Sequence, residues 1–352
     1  MISAVNAMSG RCLPIRLFAV AASLLLTTCS PEPPLPRVLD FSGTIMGTGY
    51  RITAVDVPEY LDRNALNAGI LRAMESVNDA MSTYQEDSEL SRFNRSRDTD
   101  WVAASPGLVA VLQDARRISE LSAGAFDVTV GPLVNLWGFG PDPRDEQVPD
   151  ERDIRTAMAK VGYRHVEVRD TPPAIKKSNS DLYIDLSAIA KGYAVDQVCD
   201  FLESQDIQNY LVDLGGDLRA KGHNTQRMRW RIGIEKPVPG ERSIQQTVQL
   251  SDLALATSGN YRNYFEKDGK RYSHTIDPRT GRPIEHNLAS ASVAAATAMR
   301  ADALATALMV LGRAQGLQLA EELDLAVLLI VKQENGYTER YTRKFAQLLT
   351  DK

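Results

Sequence analysis

A carboxylate and a hydroxyl lie four residues apart in a segment of mostly small, apolar residues. Residues 298–311 are apolar nearly all round, which predicts a buried helix. On this helix Asp302 and Thr306 would share one face, with Ala305 beside them. A buried carboxylate needs a partner, and Mg²⁺ combines protein carboxylates with water and phosphate oxygens. The alternative is that Asp302 caps the helix and Thr306 bonds back to a backbone carbonyl.

A second group of polar residues follows an apolar run. Residues 181–186 predict a strand, and residues 188–202 predict a helix. Ser187 could cap this helix, and Lys191 would then lie in its first turn. Amides at a helix start attract anions, and a lysine there adds a full charge. The segment could therefore hold a phosphate or a ribose hydroxyl, although an ordinary capping turn with a surface lysine would look the same.

Two glycine-bearing segments each follow an apolar strand candidate. Residues 213–217 include Gly215 and Gly216, and residues 257–261 include Gly259. Both predict turns at which a ligand could approach backbone N–H groups closely. Neither matches a Walker loop or the Gly-x-Gly-x-x-Gly fingerprint, and either could be a simple tight turn.

One histidine stands in a chemically suggestive setting. His274 lies among hydroxyl side chains, just before an Asp-Pro-Arg-Thr-Gly turn that begins at Asp277. A neutral imidazole there could accept a proton from an attacking hydroxyl. A hydrogen-bonded structural histidine is the alternative. His165, His223 and His286 have no comparable setting.

The elements that must position these residues alternate along the chain. Strands are predicted at residues 51–55, 210–214 and 325–331, and helices at 66–81 and 108–121. Ser105 and Pro106 form the predicted start of the second helix, and Gly124 its end. The alternation predicts a mixed α/β domain, but it does not give the order of the strands.

Composition excludes several classes of function. The 352-residue chain is 43% hydrophobic and carries a net charge of −5, so general nucleic-acid binding is not expected. It contains no His-Glu-x-x-His, Gly-x-Ser-x-Gly or Cys-x-x-Cys motif. Zinc protease and serine hydrolase functions therefore have no support.

The first residues have the pattern of an export signal. Arg11 and Arg16 precede the apolar run 17–26, which is too short for a spanning helix. Cys29 stands where a bacterial lipoprotein signal places its lipid-bearing cysteine, although Thr28 is atypical before it. Plain signal cleavage or an uncleaved N-terminal anchor are the alternatives.

These features divide the chain into three parts. Residues 1–29 predict a signal peptide, residues 30–40 a stiff proline-rich spacer, and residues 41–352 one folded domain. Of the three cysteines, Cys199 would remain as a free thiol, so no intramolecular disulfide is expected. Its apolar neighbours predict that Cys199 is buried in the core.

The order of the motifs resembles that of the ApbE family of FAD:protein FMN transferases. The matching blocks are residues 44–48, 81–84, 124–132, 185–192, 215–217, 256–259, 273–278 and 301–306. The resemblance extends from about Phe41 to the C-terminus. It implies a T-fold-like, mixed α+β catalytic domain with an FAD cleft between two lobes.

The resemblance also implies roles for individual positions. Met46 and Tyr84 would contact the flavin or adenine rings, Ala125, Phe126 and Asp127 would line the FAD pocket, and Asp185, Lys191 and Ile276 would also touch FAD. Mg²⁺ would be held by the Ala188 and Ala305 carbonyls, the Asp302 carboxylate and Thr306. His274 would be the general base.

The implied reaction moves FMN from FAD to a Thr or Ser hydroxyl of an acceptor protein and releases AMP. The implied acceptors are flavoprotein subunits of membrane redox complexes. The implied location is the periplasmic side of the bacterial inner membrane, with a lipid anchor on Cys29. Two alternatives stay open: an FAD pyrophosphatase that gives FMN and AMP, and a non-enzymatic FAD-binding lipoprotein. Asp302, Thr306 and His274 count against the second, because flavin storage needs neither metal nor base.

Overall fold

The structure, a computed structural model, describes residues 35–141, 147–238, 243–261 and 263–350. The predicted signal peptide, including Cys29, lies outside these ranges, as do residues 30–34 of the predicted spacer. No helix within these ranges is both long enough and apolar enough to cross a membrane.

Helices and strands alternate through the described residues. The helices are α1 (Arg63–Met81), α2 (Glu89–Arg95), α3 (Pro106–Leu121), α4 (Gly131–Leu136), α5 (Glu151–Met158), α6 (Ala190–Ser204), α7 (Ala298–Glu322) and α8 (Arg343–Ala346). The strands are β1 (Leu39–Ile45), β2 (Thr48–Val55), β3 (Val102–Ala103), β4 (Val166–Asp170), β5 (Pro173–Lys177), β6 (Asn209–Leu214), β7 (Asp217–Lys221), β8 (Trp230–Glu235), β9 (Ile244–Leu250), β10 (Leu253–Gly259), β11 (Tyr264–Lys267), β12 (Lys270–Ser273), β13 (Ile276–Asp277), β14 (Arg282–Pro283), β15 (Leu288–Ala295), β16 (Ala326–Gln333) and β17 (Gly336–Tyr341).

The framework is an eight-stranded sheet in the order β1-β2-β6-β7-β10-β15-β16-β17. Every neighbouring pair in it is antiparallel. Helices α1, α6 and α7 contribute to the large apolar core on one face. The β8–β9 pair and Phe345 of α8 pack into a second core with side chains of the sheet. The central strands are covered on both faces, which explains why β16 begins as an unbroken run of buried residues.

Two tight turns lie side by side at one end of this sheet. Met46 and Gly47 connect β1 to β2, with φ angles of 50° and 73°, and Gly215 and Gly216 connect β6 to β7, with φ angles of 66° and 98°. Two-residue hairpin turns favour glycine because they require positive φ. The Gly215 N–H donates to the Gly49 carbonyl at 3.0 Å, and the register of β7 with β10 brings the end of β10 to the same place.

The sequence predicted several of these elements correctly. Helices α1 and α3, strands β2, β6 and β16, and burial of Cys199 are confirmed. Ser105 accepts from the Leu108 N–H at 3.3 Å and Pro106 opens α3, as predicted. The predicted helix over 298–311 is the first part of α7, which breaks at Gly312 (φ 72°) and then continues.

Three local predictions were wrong. Residues 181–186 belong to no strand, although the helix predicted over about 188–202 is confirmed as α6, two residues later at each end. Ser187 does not cap α6, because its hydroxyl donates to Asp185 at 2.6 Å. Residues 257–259 continue β10 rather than turning, since their partners on β15 extend the pairing.

Candidate active site

The start of α7 is fixed by a carboxylate from the neighbouring helix. Asp196 of α6 accepts the N–H groups of Ala298 and Met299 at 3.0 and 2.9 Å. These amides have no partner within α7, and Thr297 caps the same helix end. The orientation of α7, and with it the position of Asp302 one turn further on, therefore depends on α6.

A buried charge cluster forms where α6, α7 and the β6–β7 turn meet. Asp302 and Asp217 are each 4% exposed. The Lys191 Nζ donates to Asp217 Oδ2 at 2.7 Å and to Asp302 Oδ2 at 3.4 Å. Asp302 Oδ2 also accepts from the Gly192 N–H at 3.2 Å. Three segments that are distant in sequence thus share one polar centre.

The cluster perturbs the protonation of its members. Burial, reinforced by the negative charge of Asp217, raises the pKa of Asp302 to about 7, although Lys191 and the Gly192 N–H act in the opposite direction. Burial alone would lower the pKa of Lys191, but the charges and hydrogen bonds of the two carboxylates outweigh it and raise that pKa. An ionised Asp302 is therefore costly unless further positive charge lies close to it.

A hydroxyl oxygen suited to a hard cation lies on the same helix face as Asp302. Thr306 follows one turn later on the same face, and its Oγ1 lies 2.8 Å from Ser258 Oγ at the end of β10. The alternative in which Asp302 caps α7 and Thr306 bonds to a carbonyl is therefore wrong. Both hydrogen bonds to the Asp302 carboxylate within the described residues end on Oδ2, so Oδ1 is the oxygen that can face a cation.

A divalent cation here would depend on mixed oxygen ligands. The described residues contain no group of three or more His, Cys, Asp or Glu side chains able to hold a metal. The Asp302 carboxylate and the Thr306 hydroxyl are donors of the kind that suits Mg²⁺, which commonly binds one or two carboxylates and completes its shell with water and phosphate oxygens. The carbonyls of Ala188 and Ala305 are the further ligands that the resemblance implies. The donors present therefore fit the metal that the resemblance implies.

Two side chains that the sequence did not single out hold the segment that leads to Asp185. The Asn94 amide pairs with both backbone groups of Ile184, each at 2.8 Å, and so replaces a neighbouring strand. The fully buried Lys177 donates to the carbonyls of Phe93 and Leu182 at 3.2 and 3.4 Å. No sequence pattern marks either role, because both depend on residues distant along the chain.

Asp185 itself closes a local turn. Its Oδ1 accepts the N–H and the hydroxyl of Ser187 at 2.8 and 2.6 Å, which shapes the backbone just before Ala188. Partial burial of the Tyr84 hydroxyl and the negative charge of Asp185 raise the pKa of Tyr84. Tyr84 is 69% exposed and so open to a ligand.

The other predicted FAD contacts lie on the surrounding loops. Met46 forms the β1–β2 turn beside the β6–β7 turn. Ala125, Phe126 and Asp127 are buried. Both carboxylate oxygens of Asp127 accept hydrogen bonds, Oδ1 from Thr129 in its own loop and Oδ2 from the distant Tyr163 N–H. Contact between these residues and FAD stays a prediction.

His274 is set up as a proton acceptor. Its Nδ1 lies 2.9 Å from the Asn263 carbonyl oxygen, so Nδ1 carries the proton and Nε2 has the free lone pair. Burial lowers the pKa of His274, and the positive charge of Lys191 lowers it further. The hydrogen bond to the Asn263 carbonyl acts in the opposite direction but is outweighed. Ile276, two residues later, is buried in a cluster with Trp137 and Phe265, which anchors this stretch of chain.

The structure thus brings Lys191, Asp302 and Thr306 into one centre, and the charge of Lys191 acts on His274. It adds Asp217 and Ser258, which the sequence placed in glycine-bearing segments without a role. The fold and this centre define a mixed α/β protein with a site suited to a phosphate-bearing ligand beside a divalent cation.

Comparison with known proteins identifies the family. The model of the ApbE family matches residues 46–329. The FAD:protein FMN transferases of Vibrio cholerae and Haemophilus influenzae are 46% and 42% identical, over 95% and 96% of this chain and 98% of each relative. This chain therefore belongs to the ApbE family.

Solved structures agree with this assignment. The flavin transferase ApbE from Vibrio cholerae matches with a TM-score of 0.83 and 44% identity, over 89% of this chain and 100% of that one. The apo form of the flavinyl transferase ApbE from Pseudomonas stutzeri matches with a TM-score of 0.83 and 38% identity, over 90% and 98%. The predicted ApbE-like mixed α/β fold is confirmed.

Proposed function

We infer that this chain is an FAD:protein FMN transferase that moves FMN from FAD to an acceptor protein. The observation that carries the inference is the meeting of four motifs at one end of the sheet: the start of α6, the β6–β7 turn, the end of β10 and the first turns of α7. Membership of the ApbE family, with relatives similar over nearly the whole chain, supports the same activity.

We propose that His274 starts the reaction. Its Nε2 takes the proton of a Thr or Ser hydroxyl on the acceptor, and the resulting oxygen attacks the FMN-side phosphorus of FAD. The phosphoanhydride bond breaks, AMP leaves, and FMN stays on the acceptor as a phosphodiester. The lowered pKa of His274 keeps the imidazole neutral, and therefore able to accept a proton, at neutral pH.

We further propose Mg²⁺ as the metal, held by Asp302, Thr306 and the carbonyls of Ala188 and Ala305. When bound, it would offset negative charge on the FAD diphosphate. Lys191, in the first turn of α6, supplies a fixed positive charge in the same centre. Asp185 and Tyr84 would orient the remainder of the dinucleotide.

The cellular setting is proposed on the N-terminal sequence and the family resemblance. The apolar run before Cys29 supports export and a lipid anchor on the periplasmic side of the inner membrane. Such a location would place the enzyme next to flavoprotein subunits of membrane redox complexes, the acceptors that the resemblance implies.

The test is a reaction of the purified protein with FAD, Mg²⁺ and a flavoprotein acceptor domain, with and without chelator. Intact mass of the acceptor and free AMP are followed together. We expect a magnesium-dependent gain of one FMN per acceptor, matched by AMP. AMP and free FMN with an unmodified acceptor would instead indicate an FAD pyrophosphatase, and FAD that stays bound and uncleaved would indicate a carrier.

A matched pair of histidine variants tests the base. His274→Ala should retain FAD binding and lose about 10²- to 10⁴-fold in transfer rate, the usual contribution of general base catalysis. His223→Ala is the control, because His223 interacts with Asp56 and the Asn224 carbonyl rather than with the charge cluster. Normal transfer by His274→Ala would refute the assignment.

A further inference from the structure

Asp217 is a buried carboxylate of the charge cluster that the proposed reaction does not use. It follows the Gly215-Gly216 turn and is 4% exposed. We propose that Asp217 is a positioning residue that holds the Lys191 ammonium away from Asp302 and so keeps Asp302 available to a divalent cation. This inference rests on the proposed magnesium site and assigns a role to a residue outside it.

The distances show which carboxylate holds the ammonium. Lys191 Nζ lies 2.7 Å from Asp217 Oδ2 but 3.4 Å from Asp302 Oδ2. The shorter distance is that of a strong charge-assisted hydrogen bond, whereas the longer one lies outside that range. The ammonium is therefore primarily paired with Asp217, and its hold on Asp302 is weak.

The charge balance explains why this matters for a cation. With both carboxylates ionised, as they would be beside a bound cation, Asp217, Asp302 and Lys191 carry two negative charges and one positive charge, so the cluster has one unbalanced negative charge that a metal can neutralise. Without the charge of Asp217, Lys191 and Asp302 would neutralise each other. A cation binding at Asp302 would then have to compete with the Lys191 ammonium for the same buried carboxylate.

Backbone contacts around Asp217 and around Lys191 keep these two residues next to each other. The Gly216 N–H donates to Asp213 Oδ1 at 2.9 Å and the Gly215 N–H to the Gly49 carbonyl at 3.0 Å, so the start of β7 is anchored. Lys191 is held by the close approach of its neighbour Gly192 to the start of α7, where a Cβ would lie 2.3 Å from the Ala298 carbonyl oxygen. Neither charged group can move away from the other by a simple shift of its backbone.

The proposal predicts that one substitution weakens cation binding and that a second substitution restores it. In Asp217→Asn, which preserves shape but removes the charge, the ammonium should turn to Asp302 and weaken cation binding by roughly tenfold or more. In the double variant Lys191→Met with Asp217→Asn, the competing ammonium is gone, and affinity should return to within about threefold of the original protein or exceed it. A purely structural role of Asp217 would not be rescued by a second substitution.

The measurement is a titration of the purified proteins with Mn²⁺ as the probe, followed by electron paramagnetic resonance of the free ion in the absence of FAD. Circular dichroism and thermal unfolding establish that each variant is folded, and Asp217→Ser carries the same prediction should the Asn variant not fold. Unchanged Mn²⁺ affinity in Asp217→Asn, or a double variant no better than the single one, would overturn the proposal.

Asp302→Asn separates this inference from the site on which it rests. If it abolishes Mn²⁺ binding while Asp217→Asn binds normally, the metal site stands and the role of Asp217 falls. If Asp302→Asn binds Mn²⁺ like the original protein, the ion is held elsewhere, and the metal site and the role of Asp217 fall together.

Discussion

Substitution of Gly192 by Ala tests whether the approach of α6 to α7 builds the site. A Cβ at this position would lie 2.3 Å from the Ala298 carbonyl oxygen and 2.7 Å from the Met299 nitrogen. These are backbone atoms at the start of α7, which Asp196 holds in place. The strain therefore cannot be relieved by rotating a side chain, and the two helices have to separate by about 1 Å to reach van der Waals distance.

The expected loss of stability in Gly192→Ala combines two destabilising contributions and one stabilising contribution. Overpacking in a core typically costs 1–3 kcal/mol, and the hydrogen bond from the Gly192 N–H to the Asp302 carboxylate contributes about 1.5–3 kcal/mol, while helix propensity returns up to about 1 kcal/mol. With the full gain in helix propensity, these give a decrease of about 1.5–5 kcal/mol in the free energy of unfolding. Because Asp302 loses a hydrogen-bond donor, cation affinity should decrease as well.

Urea denaturation followed by circular dichroism measures the stability change, and Mn²⁺ titration measures the site. Gly316→Ala is the matched control, since a Cβ there lies 3.3 Å from its nearest neighbour, the Leu308 carbonyl oxygen. That variant should stay within about 1 kcal/mol of the original protein. A Gly192→Ala protein with unchanged stability and unchanged Mn²⁺ affinity would refute the argument that this contact positions Asp302.

Three further results are expected. Asp196→Ala removes the acceptor for two amides at the start of α7 and should lower the free energy of unfolding by about 2–4 kcal/mol in urea denaturation; a change below about 0.5 kcal/mol would contradict this role. Burial raises the pKa of the Cys199 thiol, so iodoacetamide should modify Cys199 in the unfolded but not in the native protein, as read by peptide mass. Burial lowers the pKa of His274, so at saturating Mg²⁺ the single-turnover transfer rate at about pH 6.5 should still exceed half of its value at high pH; a rate already halved at neutral pH would count against a neutral His274 as the base.

Several helices and strands were predicted correctly because the residues that determine them are neighbours in the sequence. The spacing of apolar residues in α1, the Ser105-Pro106 start of α3 and the buried run of β16 each carry enough information within a few residues to be assigned correctly. The extended segment before Asp185 was wrongly assigned to a strand, because its apolar composition is that of a buried strand. Its hydrogen bonds go instead to the side chain of Asn94 and to the Val128 carbonyl, which lie far away in sequence.

The sequence by itself determined the family and the candidate residues, because the order of the motifs survives without knowledge of their contacts. It placed Asp302 and Thr306 on one helical face and His274 before a turn. Only the tertiary structure decided that Asp217 shares Lys191 with Asp302 and that Thr306 meets Ser258. The physical reason is that these contacts join α6, α7, β10 and the β6–β7 turn, which are far apart along the chain. They depend on the register of an antiparallel sheet and on the close approach of two helices, and no local run of residues determines either of these.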